Sequence, residues 1–157
     1  MINAKSTERL AQLTPEFQTI VKALLEAGYA NGMNPQISSG YRSPEEQDKI
    51  YAQGRTDKGA KVTNSRRWQS MHQYHIAVDL FFLVDGKADF HEDKYHTLWN
   101  LACKAGLDRQ GLQWSGNWTG SFKESAHFQL GKGDWRELAK SSGVDTITLN
   151  KVKVQNV

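Results

Sequence analysis

Five polar side chains stand where apolar or turn-forming stretches begin and end: Arg42, His72, Asp79, Glu124 and His127. Two imidazoles and a carboxylate on strand edges make a three-ligand zinc set, with a fourth position left for water, as catalytic zinc requires. Zinc lowers the pKa of such a water toward neutrality. Glu124 lies three residues before His127; if they share a turn or strand edge, its carboxylate reaches that water without ligating the metal. It can then take the water's proton and later pass it to a leaving amine. An arginine fixed nearby can polarise a scissile carbonyl and hold the developing oxyanion. A plainer reading stays open beside this one. A carboxylate entering a core needs a cation, and Arg42, Arg66 or Arg67 could pair with Asp79 in a metal-free domain, leaving His72 a surface histidine.

The elements that must position these groups follow from the surrounding pattern. Val78–Val84 is apolar, β-branched and aromatic, and Asp85-Gly86 follows; it predicts a buried strand headed by Asp79. Ala126–Leu130 predicts a second strand carrying His127. Gln36–Arg42 reads as a strand ending in a turn. Ser43, Pro44 and Glu46 then supply an N-cap, a first-turn proline and a capping box for a helix to about Gln53, stopped by Gly54. Arg42 is thereby held between two ordered elements. Residues 54–71 form a long, polar, basic loop just before His72, either lining a groove or making a solvated face.

Upstream, residues 6–13 predict a short helical segment with Leu10 and Leu13 inward. Thr14-Pro15 opens a helix on Phe17, Ile20, Val21, Leu24 and Leu25 that Gly28 stops. Downstream, residues 92–105 predict a helix on Tyr95, Leu98, Trp99 and Ala102, with His96 on its surface. Gly111–Phe122 reads as a loop rich in glycine and tryptophan that either walls a groove or caps the core. Asp134 opens a last short helix. The expectation is one domain over 1–157, with its core in about 6–138 and an edge strand or loose end in 144–157.

Composition narrows the classes. The 157 residues carry twenty basic and seventeen acidic side chains, a net charge of +3. That suits loose attraction to an anionic polymer and gives no expectation of nucleic acid, whose partners show a clustered basic face. Cys103 is the only cysteine, so neither an intrachain disulfide nor a thiolate metal cage is available, and a packed thiol in an apolar helix is expected. Met1–Glu8 has no apolar run of the kind a signal peptide needs, which predicts cytoplasmic synthesis. No stretch approaches the roughly eighteen apolar residues of a membrane span.

Four motifs occur in order: Ser39-Gly40-Tyr41-Arg42-Ser43, Ser70-x-His72-x6-Asp79, Gly111-Leu112-x-Trp114 and Glu124-x-x-His127-Phe128. With these, the chain resembles the zinc peptidases of the D-alanyl-D-alanine carboxypeptidase and L-alanyl-D-glutamate peptidase family, most of all the short phage endolysins. The resemblance implies an α+β fold of the Hedgehog and DD-peptidase kind, a small antiparallel sheet carrying the site and helices around it. It implies one Zn2+ per chain on His72, Asp79 and His127, with Glu124 as general base and Arg42 orienting substrate. Tyr41, His75, Trp114 and Asn117 would line the substrate site. Bacterial peptidoglycan is the implied partner, cut at the L-alanyl-D-glutamate bond by a monomer released through a phage-made membrane lesion. A D-alanyl-D-alanine carboxypeptidase with the same site, and a catalytically silent zinc- or wall-binding module, are the alternatives.

Two positions depart from the family pattern. His75 stands where S-x-H-x-x-G-x-A-x-D has glycine; it could compete for the metal, line the groove or serve the turn, the last two being favoured. Asn117 stands where Trp-Gly-Gly-Asp-Trp has its acid, a change expected to touch a supporting hydrogen bond or substrate preference and to remove no ligand.

Overall fold

The computed structural model describes residues 1–119, 124–131 and 134–144. In chain order the described elements are α1 (Ala4–Ala11), α2 (Pro15–Ala30), β1 (Pro35–Ser39), α3 (Pro44–Ala52), a 3-10 turn (Met71–Tyr74), β2 (Ala77–Val84), β3 (Lys87–Asp89), α4 (Glu92–Lys104), β4 (Leu112–Trp114), a second 3-10 turn (Ser115–Asn117), β5 (His127–Leu130) and α5 (Trp135–Ser141). They fall into two compact units, Met1–Tyr41 with His75–Gly131, and Arg42–Tyr74 with Lys132–Val157. The α+β expectation is met. Residues 145–157, where an edge strand or loose end was expected, lie outside the described residues.

The first unit contains the sheet. Its strands run β1-β2-β5-β4, with β3 paired to β2, and every pairing is antiparallel. Side chains alternate along a strand, so each face takes every second residue. Val78, Leu80 and Phe82 of β2 and Phe128 and Leu130 of β5 are buried on one face. Tyr95 of α4 packs edge-on against Phe82 and donates its hydroxyl hydrogen to Leu80 O at 2.6 Å. Asp79 and Phe81 of β2 are only partly buried. The strand expected behind Asp79 thus forms, with one face packed on α4 and the half-buried Asp79 and Phe81 on the other.

Helix α2 begins as its residues dictate, with Thr14 Oγ1 accepting from Phe17 N and Pro15 in the first turn. It runs two residues past Gly28. That glycine is a packing position and no stop: a Cβ there would come within 2.7 Å of the Pro35 side chain. The helix and the start of β1 can approach this closely only because no side chain intervenes. At the other end of the sheet, Leu112–Trp114 forms β4, although the glycine and tryptophan content predicts a loop.

In the second unit, α3 shows the full capping box: Ser43 Oγ accepts from Glu46 N, and Glu46 Oε1 accepts from Ser43 N. The organising residue is Gln47, fully buried. Its Oε1 accepts from Arg42 Nη1 at 2.9 Å and Gln73 Nε2 at 3.3 Å, and its Nε2 donates to Ser65 O at 2.7 Å. Arg67 pairs with Asp48 at 2.6 Å, but both side chains are exposed enough that the pair is worth roughly 0–1 kcal/mol. The buried amide network, whose members would each cost more if left unsatisfied, is the stronger constraint.

Candidate active site

Asp79 and His127 face each other directly across the β2–β5 pairing, on the sheet face opposite the one that packs on α4. Asp79 Oδ1 lies 3.2 Å from His127 Nδ1. Two ligand atoms held about 2.0–2.1 Å from one ion in a tetrahedron stand roughly 3.3 Å apart. The pair is thus spaced like one edge of a zinc tetrahedron.

The tautomer fits as well. Gln129 lies two residues along β5, on the same strand face, and its Oε1 is 2.9 Å from His127 Nε2. Since a carbonyl oxygen only accepts, Nε2 carries a hydrogen, so once Nδ1 gives up its own proton its lone pair is left on the Asp79 side. Nothing in the sequence pattern singles out Gln129; the available signal is the i, i+2 spacing from a candidate ligand on a strand. Replacing Gln129 with leucine is expected to weaken zinc binding about 10- to 100-fold while the sheet stays intact. Competition against a chromophoric chelator, with circular dichroism as the fold control, measures this.

Burial opposes a charge on His127, but the hydrogen bond and charge of Asp79, with help from Gln129 and Glu124, outweigh it. The imidazole pKa accordingly stands above its ordinary value. The same field that favours a proton favours a metal cation. An imidazole and a carboxylate so placed are two of the three protein ligands that a hydrolytic zinc site needs.

A pH dependence follows with a definite sign. In the metal-free protein, a raised folded pKa means that the His127 interaction contributes stability fully below the unfolded value of about 6.5 and loses it as pH rises through the folded value. Zinc must displace that proton, so its affinity runs the other way and rises over the same window. Thermal melts with and without chelator across this range should diverge as pH increases. Parallel curves would contradict the protonation scheme.

Glu124 occupies the turn entering β5. Its N donates to Ser115 Oγ at 2.9 Å, and its carbonyl accepts from His127 N at 3.0 Å. Its Oε2 is 3.9 Å from His127 Nδ1, beyond hydrogen-bond reach, and the side chain is 38 % exposed. The carboxylate is thus close to the imidazole and open to solvent. Ser115 is fully buried and was not foreseen in the sequence.

Trp114 corrects an expectation. It is 1 % exposed, packs against Phe128 and His96, and donates Nε1–H to Ser125 O at 2.7 Å. It is a core residue that brackets the Glu124 turn and does not line a substrate site. Gly116 completes the bracket: a Cβ there would sit 2.1 Å from the Trp114 ring, so only glycine lets the chain cross it. Asn117 follows and is exposed.

His75 has a left-handed backbone, φ 63°. Its Nδ1 is 2.6 Å from Gln12 O, its carbonyl accepts from Thr14 N, and its ring stacks on Tyr41 at 4.1 Å between centroids. It therefore adopts the conformation that a glycine would adopt freely, and side-chain contacts offset the strain. In the second unit, His72 is 2 % exposed in the 3-10 turn, and its carbonyl accepts from Arg42 N at 3.2 Å. Arg42 and His72 are thereby tied to each other, and the Gln47 network fixes the guanidinium.

The family model for D-alanyl-D-alanine carboxypeptidases, VanY, matches residues 10–129. The peptidoglycan L-alanyl-D-glutamate endopeptidase CwlK of Bacillus subtilis (strain 168) is 30 % identical over 125 residues, 76 % of this chain and 74 % of that protein. Among solved structures, the Serratia marcescens L-Ala D-Glu endopeptidase ChiX superposes with a TM-score of 0.63 at 22 % identity, covering 88 % of this chain and 93 % of that one. A mutant of the vancomycin-resistance D,D-pentapeptidase VanY in complex with Zn(II) gives 0.53 at 23 % identity, covering 84 % and 80 %. No helix among the described residues is long and apolar enough to cross a membrane.

Proposed function

Since the chain belongs to the VanY family of D-alanyl-D-alanine carboxypeptidases, a peptidoglycan-acting peptidase, we propose that it is a zinc enzyme that cuts the L-alanyl-D-glutamate bond of the stem peptide. The observation that carries the zinc reading is the Asp79–His127 pair, spaced at 3.2 Å with the Nδ1 lone pair made available by Gln129. The likeness to an L-alanyl-D-glutamate endopeptidase over three quarters of the chain supports the choice of bond.

His72, Asp79 and His127 would hold the ion. Zinc bound there supplies a Lewis acid and makes water acidic enough to react near neutral pH. Glu124 takes the proton of the attacking water and delivers it to the departing amine of the D-glutamyl residue. Arg42, its guanidinium fixed by Gln47, donates to the scissile carbonyl oxygen as negative charge grows on it. Tyr41, His75 and Asn117 are the proposed substrate contacts. The setting we propose is that of an endolysin, on the likeness of the motifs to short phage lysis enzymes, acting as a monomer. One catalytic domain would span the chain.

Purified peptidoglycan digested with and without chelator, with the products read by mass spectrometry, tests the reading. Fragments with a new glutamate amino terminus, lost with chelator and restored by zinc, are expected. Release of terminal D-alanine alone would favour the second reading, a D-alanyl-D-alanine carboxypeptidase, which the description of the matching family model supports. A zinc-loaded sample that cuts neither bond would leave a wall-binding module.

A further inference from the structure

Trp118 has no part in the reaction as described. Among the described residues, the exposed large apolar side chains are Met1, Val62, Val84, Phe90 and Trp118. Trp118 is the one whose ring packs on a proposed zinc ligand: its centroid is 5.7 Å from that of His127, with the ring planes at 57°. It is 37 % exposed, against 1 % for Trp114, four residues earlier in the same stretch. Trp114 faces the core and gives its Nε1–H to Ser125 O. One tryptophan thus closes the core, and the other stands beside the candidate site with much of its indole open.

Exposure alone would mean little, since single apolar side chains are common on protein surfaces. The backbone under this one is ordered, however. The chain crosses the Trp114 ring at Gly116, and the second 3-10 turn then closes with Trp118 N donating to Ser115 O at 3.0 Å. Ser115 also accepts from Glu124 N through its Oγ, at 2.9 Å. One fully buried serine thereby anchors the backbone of both Trp118 and Glu124. Ser115 follows β4 directly, and the strand order β2-β5-β4 puts β4 on the side of His127 away from Asp79. A flat apolar surface is thus carried up to a candidate ligand, on the flank that also fixes the candidate base.

We propose that Trp118 is the wall of the subsite for the departing D-glutamyl residue, its indole packing on the methylenes of that side chain. The proposal rests on the peptidoglycan reading above. In that mechanism Glu124 passes its proton to the departing amine, so the departing residue lies on the Glu124 side of the metal position. Trp118 shares the Ser115 anchor with Glu124, which sets the indole beside that residue and away from the alanyl residue whose carbonyl is attacked. An indole covers a large apolar area with only two side-chain torsions to fix, and tryptophan accordingly dominates many binding surfaces. A contact of this kind is made equally before and during the reaction, so it lowers KM and leaves kcat alone.

The test reads binding as well as turnover. Zinc-loaded protein is titrated with γ-D-glutamyl-L-lysine, for the departing half, and with N-acetyl-L-alanine, for the other, and followed by NMR chemical shifts. Trp118→Ala is expected to bind the first probe about tenfold more weakly and the second as the parent does. Its zinc affinity, by chelator competition, should equal the parent's. On a soluble stem peptide its KM should rise about tenfold with kcat little changed, which also shows that it is folded. Should it misfold, Trp118→Gln, which keeps the reach and loses the flat apolar face, should show the same loss, and Trp118→Phe should bind nearly as the parent does. Equal binding of the first probe by parent and variants, no binding of it by the parent, or a loss confined to N-acetyl-L-alanine would each overturn the proposal. So would loss of zinc together with the probe, since Trp118 would then only brace His127. A parent that binds the first probe through Trp118 and cuts no stem peptide would instead count against the catalytic reading alone.

Discussion

A Glu124→Gln variant is expected to keep its zinc and lose about 10²- to 10⁴-fold in kcat. Glutamine has the shape of glutamate, and the backbone of residue 124 is held from both sides, by Ser115 Oγ and His127 N. Position is therefore preserved while the ability to take a proton disappears. Glu124 Oε2 lies 3.9 Å from His127 Nδ1, and the proposed mechanism puts its carboxylate beside the ion and outside the ligand set. Metal content by mass spectrometry and turnover on a soluble stem peptide separate the two roles. A variant that loses zinc along with activity would make Glu124 a ligand; one that keeps both would remove it from the mechanism.

Asp79→Ala should have the other large effect, and of a different kind. Two imidazoles remain, without the negative charge that balances the ion, and His127 loses the partner that raises its pKa. Zinc content is expected to fall well below one per chain and activity to background. The rise in Tm that zinc gives the parent should vanish, because a ligand stabilises only as far as it binds the folded state. Near-stoichiometric zinc in this variant would exclude Asp79 as a ligand and return it to a structural pairing.

Much of the local structure around the candidate residues is legible because it is written within a few residues. The capping box after Arg42, the apolar strand behind Asp79 and the Glu124–His127 spacing are each written within a few residues, and each forms as the spacing predicts. What escaped depends on contacts between distant segments. Gln129 matters because a strand places it on the same face as His127 and brings its amide to the far ring nitrogen. Ser115 matters because β4 carries it to the Glu124 turn. Trp114 lies in a polar, glycine-rich stretch that fits a groove wall as well as a core cap. Only the β4–β5 pairing, which sets it opposite Phe128, sends it into the core. Gly28 looked like a helix end and proved to be the place where a strand presses on the helix. The left-handed backbone of His75 is signalled only by the glycine that the family pattern has there, since few residues other than glycine adopt it.

The sheet order has a kinetic consequence. Asp79 and His127 are 48 residues apart in sequence and meet only when β5 docks onto β2, after α4 and β4 have been traversed. The unfolded chain therefore does not present this pair, and ordering the long intervening segment must come first. Zinc should accordingly capture a molecule whose sheet has already closed, prolonging the lifetime of the native state while hardly changing the rate at which the chain reaches it.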